Sequence, residues 1–600
     1  MSRQPRRSAL LAAAFLSATC PPLLAQRRPT PPPPGLAAGD WSMPGRDASL
    51  SRYSPLDQIT LVNAAGLKPV WSFSTGVLGP HEGSPLVVGS TMFVHTPWPN
   101  AVFALDLSTP GAPIKWKYQA PIPRPARGAR AGPPVPPPTG CCDIGSRGLA
   151  YHPGGKVFVP LLSGDLAALD AATGREIWRV RNGDPANGAT VAAAPIVIKD
   201  LVLAGVSGAG FGVRGYLTAY DANTGRLVWR GYSTGPDTDV LISGAANTHY
   251  STHQGRDLGV STWPGDAWRL GGGTTSGWIS YDPALDLIFH GTDEPAPGNP
   301  FQRPGDNKWT ASILAREAAT GRVRWAYQLT PHDEWGYGAG NESILVDVEI
   351  GGAKVPSLVH FARNGFAYTI ERSTGKVLVA QPYGPVNWAS LVEQESGAPG
   401  RTSQFAAPPP APAGSPPRRT SGVCPAALGG KHLQPAAHSP LTGLFYVPAS
   451  NLCMDLSTAL ATHAPGSPYS GTTIRMHAGP GGNRGRLLAW DPAAAVVTWE
   501  IKEPFAVAGG VLATAGGLVF YGTLEGWLKA LDQRTGREVW RYKTPSGIVG
   551  SPIAFLGPDG RQYIAVYSGI GGWWGLGGNG AFRDLATVTN PGGVLTVFGL

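Results

Sequence analysis

One pattern recurs along the chain and limits its fold more than any other feature. A small residue is followed two places on by an acid, then by Thr-Gly, then by Trp. Clear copies are Ala168, Asp170, Thr173-Gly174 and Trp178, and Ala219, Asp221, Thr224-Gly225 and Trp229. The pattern returns at Ala315, Glu317, Thr320-Gly321 and Trp325, and at Ala530, Asp532, Thr535-Gly536 and Trp540. Degenerate copies are Ala104, Asp106 and Trp116; Thr369, Glu371 and Thr374-Gly375; and Ala489, Asp491 and Trp499. Val70-Trp71 reads as a half-copy near the start.

Each unit is a hairpin whose acid and Thr-Gly build the turn, with Gly free to take φ > 0. The Trp ends the next strand and offers a flat apolar surface to a neighbouring unit. One four-stranded sheet leaves both faces exposed, so such units stack radially and close into a ring. The predicted fold is all-β: an eight-bladed β-propeller of four-stranded antiparallel blades with tryptophan docking motifs. Seven blades with a stray hairpin is the alternative. The acids are spaced from 41 residues (Asp491 to Asp532) to 120 (Glu371 to Asp491), so long loops interrupt the ring. Gly/Pro-rich insertions fall at 121–140 and 406–417.

Composition agrees. The 600 residues include 82 Gly, 60 Pro and 19 Trp with only 14% charged residues, which is turn-rich and folded, not disordered. The net charge of +9 is spread along the chain, so nucleic-acid binding has little support. Arg3, Arg6 and Arg7 precede an apolar stretch at 9–16, with a small-residue cleavage site before Gln26. Residues 1–25 therefore read as a signal peptide, 26–39 as a Pro-rich N-terminal tail and 40–600 as the propeller. Lipidation at Cys20 is the alternative to cleavage. No other stretch is long and apolar enough to span a bilayer, and the expected location is periplasmic or secreted. Cleavage leaves Cys141, Cys142, Cys424 and Cys453, an even number that favours two disulfides in an exported chain.

Several stretches carry a resemblance in a fixed order from about residue 40 onward. They include His81-Glu82-Gly83-Ser84-Pro85, Cys141-Cys142-Asp143-Ile144-Gly145-Ser146-Arg147-Gly148 and Gly271-Gly272-Gly273-Thr274. Gly305-Asp306-Asn307-Lys308-Trp309, Pro331-His332-Asp333-Glu334-Trp335, Arg363-Asn364-Gly365 and Gly571-Gly572-Trp573 follow. Together they resemble the pyrroloquinoline quinone (PQQ) dependent methanol and ethanol dehydrogenases. The resemblance implies a Cys141–Cys142 disulfide lying flat on the quinone and a structural Cys424–Cys453 disulfide. It implies that Glu82, Arg147, Ser207, Gly208, Ala209 and Thr274 line the cofactor. It places Arg363 beside the reactive carbonyls, where a cation stabilises developing negative charge, and Trp573 nearby.

The same resemblance exposes departures. Gly210 stands where the family has a metal-ligating Glu, Glu294 where it has an Asn, and Gly336 where it has the catalytic base. Gly338 takes the place of a lanthanide-associated Asp, and Ser276 and Ala508 replace two Trp. His432 stands for an Asn and Ala192 for a Thr. No catalytic residue is therefore matched, and Asp333, Glu334 and His432 are the candidates for a substitute base. Glu294 is a weak metal ligand without the Glu that Gly210 replaces, so Ca²⁺ or a lanthanide is doubtful. The expected function is a periplasmic quinoprotein oxidising an alcohol-type substrate with PQQ. A separate acceptor such as cytochrome c would take the electrons, because no Cys-x-x-Cys-His haem motif is present. The alternative is a catalytically impaired PQQ-like propeller acting as a ligand-binding or scaffold protein.

Overall fold

The computed structural model describes residue 1 and residues 37–121, 145–243, 246, 249–572 and 580–600. The signal and tail region up to residue 36, the Cys141-Cys142 pair and Trp573 lie outside the described residues. Among the described residues, eight sheets contain four antiparallel strands each. Six run in chain order over 86–119, 150–181, 196–232, 279–328, 343–382 and 437–503. The seventh, 511–543, gains a parallel edge strand from Tyr53–Ser54. In the eighth, Lys68–Ser74 pairs antiparallel with Val594–Gly599, so the N-terminal half-copy completes a sheet made by the C-terminus.

The repeat has a stricter logic than its turn. Asp170 Oδ1 accepts from the Thr173 amide and hydroxyl, each at 2.8 Å, and Gly174 takes φ +71°. A bulge then sets the small residue directly across from the Trp: Ala168 pairs with Trp178, Ala219 with Trp229, Ala315 with Trp325 and Ala530 with Trp540. The indole crosses to the next sheet. Trp116 Nε1 donates to Ala171 O (3.1 Å), Trp178 to Ala222 O (3.3 Å) and Trp229 to Ala318 O (3.0 Å). Trp325 donates to Arg372 O (2.8 Å), Trp499 to Gln533 O (3.3 Å) and Trp540 to Leu67 O (3.0 Å). Five of these rings, all but Trp540, lie on the turn glycine of the following repeat; a Cβ on Gly174 would sit 2.5 Å from the Trp116 ring. The glycine thus serves the positive φ and the docked indole together.

The degenerate copy at Thr369 faces Val379 instead of a Trp. That sheet meets its successor through Phe361, whose ring lies 5.7 Å from Phe445 and 6.2 Å from Trp490. Phe73 against Phe103 (5.1 Å) brings the last sheet to the first. Arg52 is a further seam, fully buried, with Nε donating to Val511 O (2.7 Å) and Nη2 to Pro552 O (2.6 Å). Its burial lowers the guanidinium pKa to about 9. Thr420–Val423, Leu452–Thr458 and Thr472–Ala478 form a separate three-stranded sheet, stapled by the Cys424–Cys453 disulfide. No helix among the described residues is long and apolar enough to cross a membrane.

Candidate cofactor site

The loops leaving the sheets bind one another through their backbones. Arg147 N donates to Ala192 O (2.9 Å), Asp293 N to Thr274 O (2.8 Å) and Gly430 N to Arg363 O (3.0 Å). These bonds bring together residues far apart in sequence. Arg147 also lines a small cavity of about 30 Å³, together with Glu82, Trp278, His432, Gln434 and Ala508, among others.

On one side Arg147 Nε lies 3.2 Å from Glu82 Oε2, while its Nη1 donates to Ser276 O (3.2 Å). Ser207 exchanges backbone hydrogen bonds with Thr190. The Oγ of Ser207 and Oγ1 of Thr190 are both buried and have no partner among the described residues. The Oε1 of Gln434 is in the same condition. Buried polar atoms are normally satisfied, so these atoms would take a water or a polar ligand as partner. Gly208 has φ +121°, and a Cβ there would meet Gly188 O at 2.4 Å. Ala209 is buried and begins the 3-10 helix Ala209–Phe211.

Asp293 and Glu294 follow the strand Leu287–Gly291 of the 279–328 sheet. Asp293 Oδ2 accepts from Thr274 Oγ1 (2.7 Å), Ser276 Oγ (2.7 Å) and Ser276 N (3.3 Å). Burial, and next the Glu294 charge, raise the Asp293 pKa above the usual carboxylate value. Glu294 Oε2 accepts from Arg363 Nη1 at 2.8 Å. His432 is buried near Arg363 and Arg147, and burial first, then those cations, hold its imidazole neutral.

The candidate bases occupy different settings. Glu334 is engaged at both oxygens, by Arg401 Nη1 (2.7 Å) and Ala407 N (2.7 Å), and ties down a loop. Asp333 Oδ1 accepts from Trp335 N and Gly336 N, both at 3.0 Å, closing the turn that carries Gly336. Its Oδ2 is buried without a partner among the described residues, and burial raises its pKa to about 6. Behind His432, Lys431 Nζ and Glu342 Oε2 form a fully buried ion pair at 2.6 Å. Lys431 Nζ also donates to His432 O (3.1 Å). Nothing in the sequence pattern singles out Lys431, Glu342 or Thr190, because each one's partner comes from a distant loop.

Residues 41–418 and 491–564 match the family described as PQQ, glucose/ethanol/alcohol dehydrogenase, beta-propeller domain. The chain belongs to this PQQ-dependent dehydrogenase family. It is 48% identical over 547 residues to the lanthanide-dependent methanol dehydrogenase of Methylacidiphilum fumariolicum, covering 90% of this chain and 86% of that one. It is 41% identical over 589 residues to methanol dehydrogenase (cytochrome c) subunit 1 of Paracoccus denitrificans, covering 94% and 90%. A solved europium-containing methanol dehydrogenase superposes with a TM-score of 0.88 at 46% identity, covering 94% of this chain and 98% of the other. The sheets are therefore those of a PQQ-dehydrogenase β-propeller.

The two groups implied by this family fare differently against the residues. PQQ fits: two arginines suit its carboxylates and carbonyls, and the orphaned hydroxyls of Ser207 and Thr190 lack only a polar partner. A hard cation does not fit. It takes about six to eight oxygens, whereas Glu294 is held by Arg363 and Asp293 Oδ2 by three donors. Among the described residues no three His, Cys, Asp or Glu side chains group as metal ligands. Two of the relatives are named for a lanthanide or europium, so the expectation that Ca²⁺ or a lanthanide is doubtful is not supported by the comparisons.

Proposed function

We propose that this protein is a quinoprotein oxidoreductase that binds PQQ and oxidises an alcohol-type substrate. The observation carrying this reading is the meeting of Arg147, Arg363, Ser207, Thr190 and Thr274 about loops joined by backbone hydrogen bonds. When bound, PQQ supplies the two-electron acceptor. The chain's own residues hold and orient it. Arg147, kept in place by Glu82 and Ser276 O, offers its planar fork to a carboxylate. Ser207 and Thr190 offer hydroxyls, and Thr274, fixed on Asp293, shapes the floor with Gly208 and Ala209. Arg363 stabilises negative charge on a carbonyl oxygen. Cys141 and Cys142, as a disulfide, and Trp573 complete the walls in this reading.

Asp333 is the better placed substitute for the missing base at Gly336: its free oxygen is buried on the turn that Gly336 shares, and its pKa near 6 suits proton uptake close to neutrality. The eight sheets, six of them sending a Trp to the next, support an eight-bladed ring over residues 40–600. Export to the periplasm after removal of residues 1–25, and transfer of electrons to a separate acceptor such as cytochrome c, belong to the same reading. The second reading is a catalytically impaired propeller that holds PQQ or another anion without turnover; Gly210 and Gly336 favour it.

One experiment separates the two. The mature protein is incubated with PQQ, and bound quinone absorbance and dye-linked alcohol oxidation are recorded. Bound quinone with turnover supports the oxidoreductase. Bound quinone without turnover supports the ligand-binding reading.

A further inference from the structure

The geometry points to an internal ion pair, Arg363 with Glu294, standing in this chain where a bound cation would act, so that the quinone is held without metal. This inference rests on the quinone reading above. Arg363 Nη1 and Glu294 Oε2 are 2.8 Å apart, with 12% and 27% of their side chains exposed. A cation brought to Glu294 would meet the guanidinium at close range and would have to break this bond. Asp293, the adjacent carboxyl, has Oδ2 filled by Thr274 and Ser276.

The glycines close the remaining routes to a coordination shell. At Gly338 a Cβ would lie 2.5 Å from Glu294 N and 2.7 Å from Asp293 Cα, so the backbone of 293–294 fills the space of any side chain there. Gly336 takes φ +83°, which disfavours a carboxylate-bearing residue. Gly210 alone faces open space. One ion-paired Glu and one Asp with its Oδ2 already engaged thus remain where a hard cation needs many free oxygens. Arg363 meanwhile supplies a fixed positive charge that needs no metal to place it, partly balanced by Glu294.

The test uses the full mature chain stripped with EDTA, then given PQQ in the presence of EDTA, Ca²⁺ or La³⁺. Quinone retained through gel filtration is read by absorbance. Equal retention in all three arms is expected. Retention only with Ca²⁺ or La³⁺ overturns the inference while leaving the quinone reading intact; no retention in any arm overturns both. Separately, Tb³⁺ is titrated into the apoprotein and its sensitised emission followed. Wild type is expected to bind weakly and Arg363→Ala about tenfold tighter or more, since a like charge is gone and Glu294 is released. Wild-type binding as tight as that of the variant overturns the inference. The wild-type quinone arms decide the matter even if Arg363→Ala does not fold.

Discussion

Glu294 accepts a 2.8 Å hydrogen bond from Arg363, which lies 69 residues further along the chain. The carboxylate next to the candidate site is therefore committed to a guanidinium. This single contact joins the cation question to the cofactor question, because the same arginine is proposed to face the quinone carbonyls.

Three glycines at positions where relatives are expected to carry acids differ in what they tolerate. Gly210→Glu is expected to change stability by no more than about 0.5 kcal/mol, because nothing lies within 4 Å of a Cβ there. Gly336→Asp should cost about 1–2 kcal/mol, the strain of a non-glycine residue at φ +83°. Gly338→Asp should be the worst, by several kcal/mol (roughly 3 or more), since backbone atoms of Asp293 and Glu294 occupy its space. Urea unfolding of the three variants gives the order directly.

Asp333 makes stability depend on pH. Its folded pKa of about 6 lies above the usual carboxylate value of 3.8, so the folded state binds this proton more tightly than the unfolded chain. The contribution is favourable below about pH 4 and is lost as pH rises through 6. Asp333→Asn keeps an acceptor for Trp335 N and Gly336 N and removes the charge. The variant should gain up to roughly 3 kcal/mol over wild type above pH 7 and little at pH 4. Tm measured from pH 4 to 8 checks it; a constant difference contradicts it.

Lys431 and Glu342 are fully buried at 2.6 Å, and burial drives each toward its neutral form against the pull of the other. Lys431→Met leaves a buried carboxyl alone and should cost about 3–5 kcal/mol. Adding Glu342→Leu should recover a large part, although Ala436 N then loses its acceptor. Denaturation of the single and double variants measures the coupling.

The Trp docking makes two superficially alike glycines unequal. Gly174 and Gly76 have φ of +71° and +73°, yet only Gly174 lies under an indole, with Trp116 at 2.5 Å from a Cβ. Gly76→Ala should cost about 1 kcal/mol and Gly174→Ala roughly 2–4 kcal/mol. Equal costs would show that the indole adapts freely.

Much of the ring is legible in the sequence because four hairpins carry the whole set of acid, Thr-Gly and Trp, and the others carry part of it. What escapes that reading is what lies across sheets. The Ala opposite each Trp and the indole resting on the next glycine become visible only when one repeat meets another. Arg52 is more extreme, bonding to carbonyls 459 and 500 residues away. In the site, Glu82, Arg147, Ser207, Thr274 and Arg363 are named by the family resemblance of their local motifs. Their partners do not follow from it. The Glu82–Arg147 pair joins two loops, Asp293 collects donors from the 274–276 loop ahead of its own sheet, and the Arg363–Glu294 bond joins segments of two sheets. Cys141, Cys142 and Trp573 stay expectations from the sequence, being outside the described residues.

The most direct test of the central claim is an absorbance titration of the metal-stripped mature protein with PQQ, followed by addition of a primary alcohol and a redox dye. Equimolar, saturable quinone binding with dye reduction that depends on the alcohol is the predicted result. Absence of quinone binding at any PQQ concentration would contradict it.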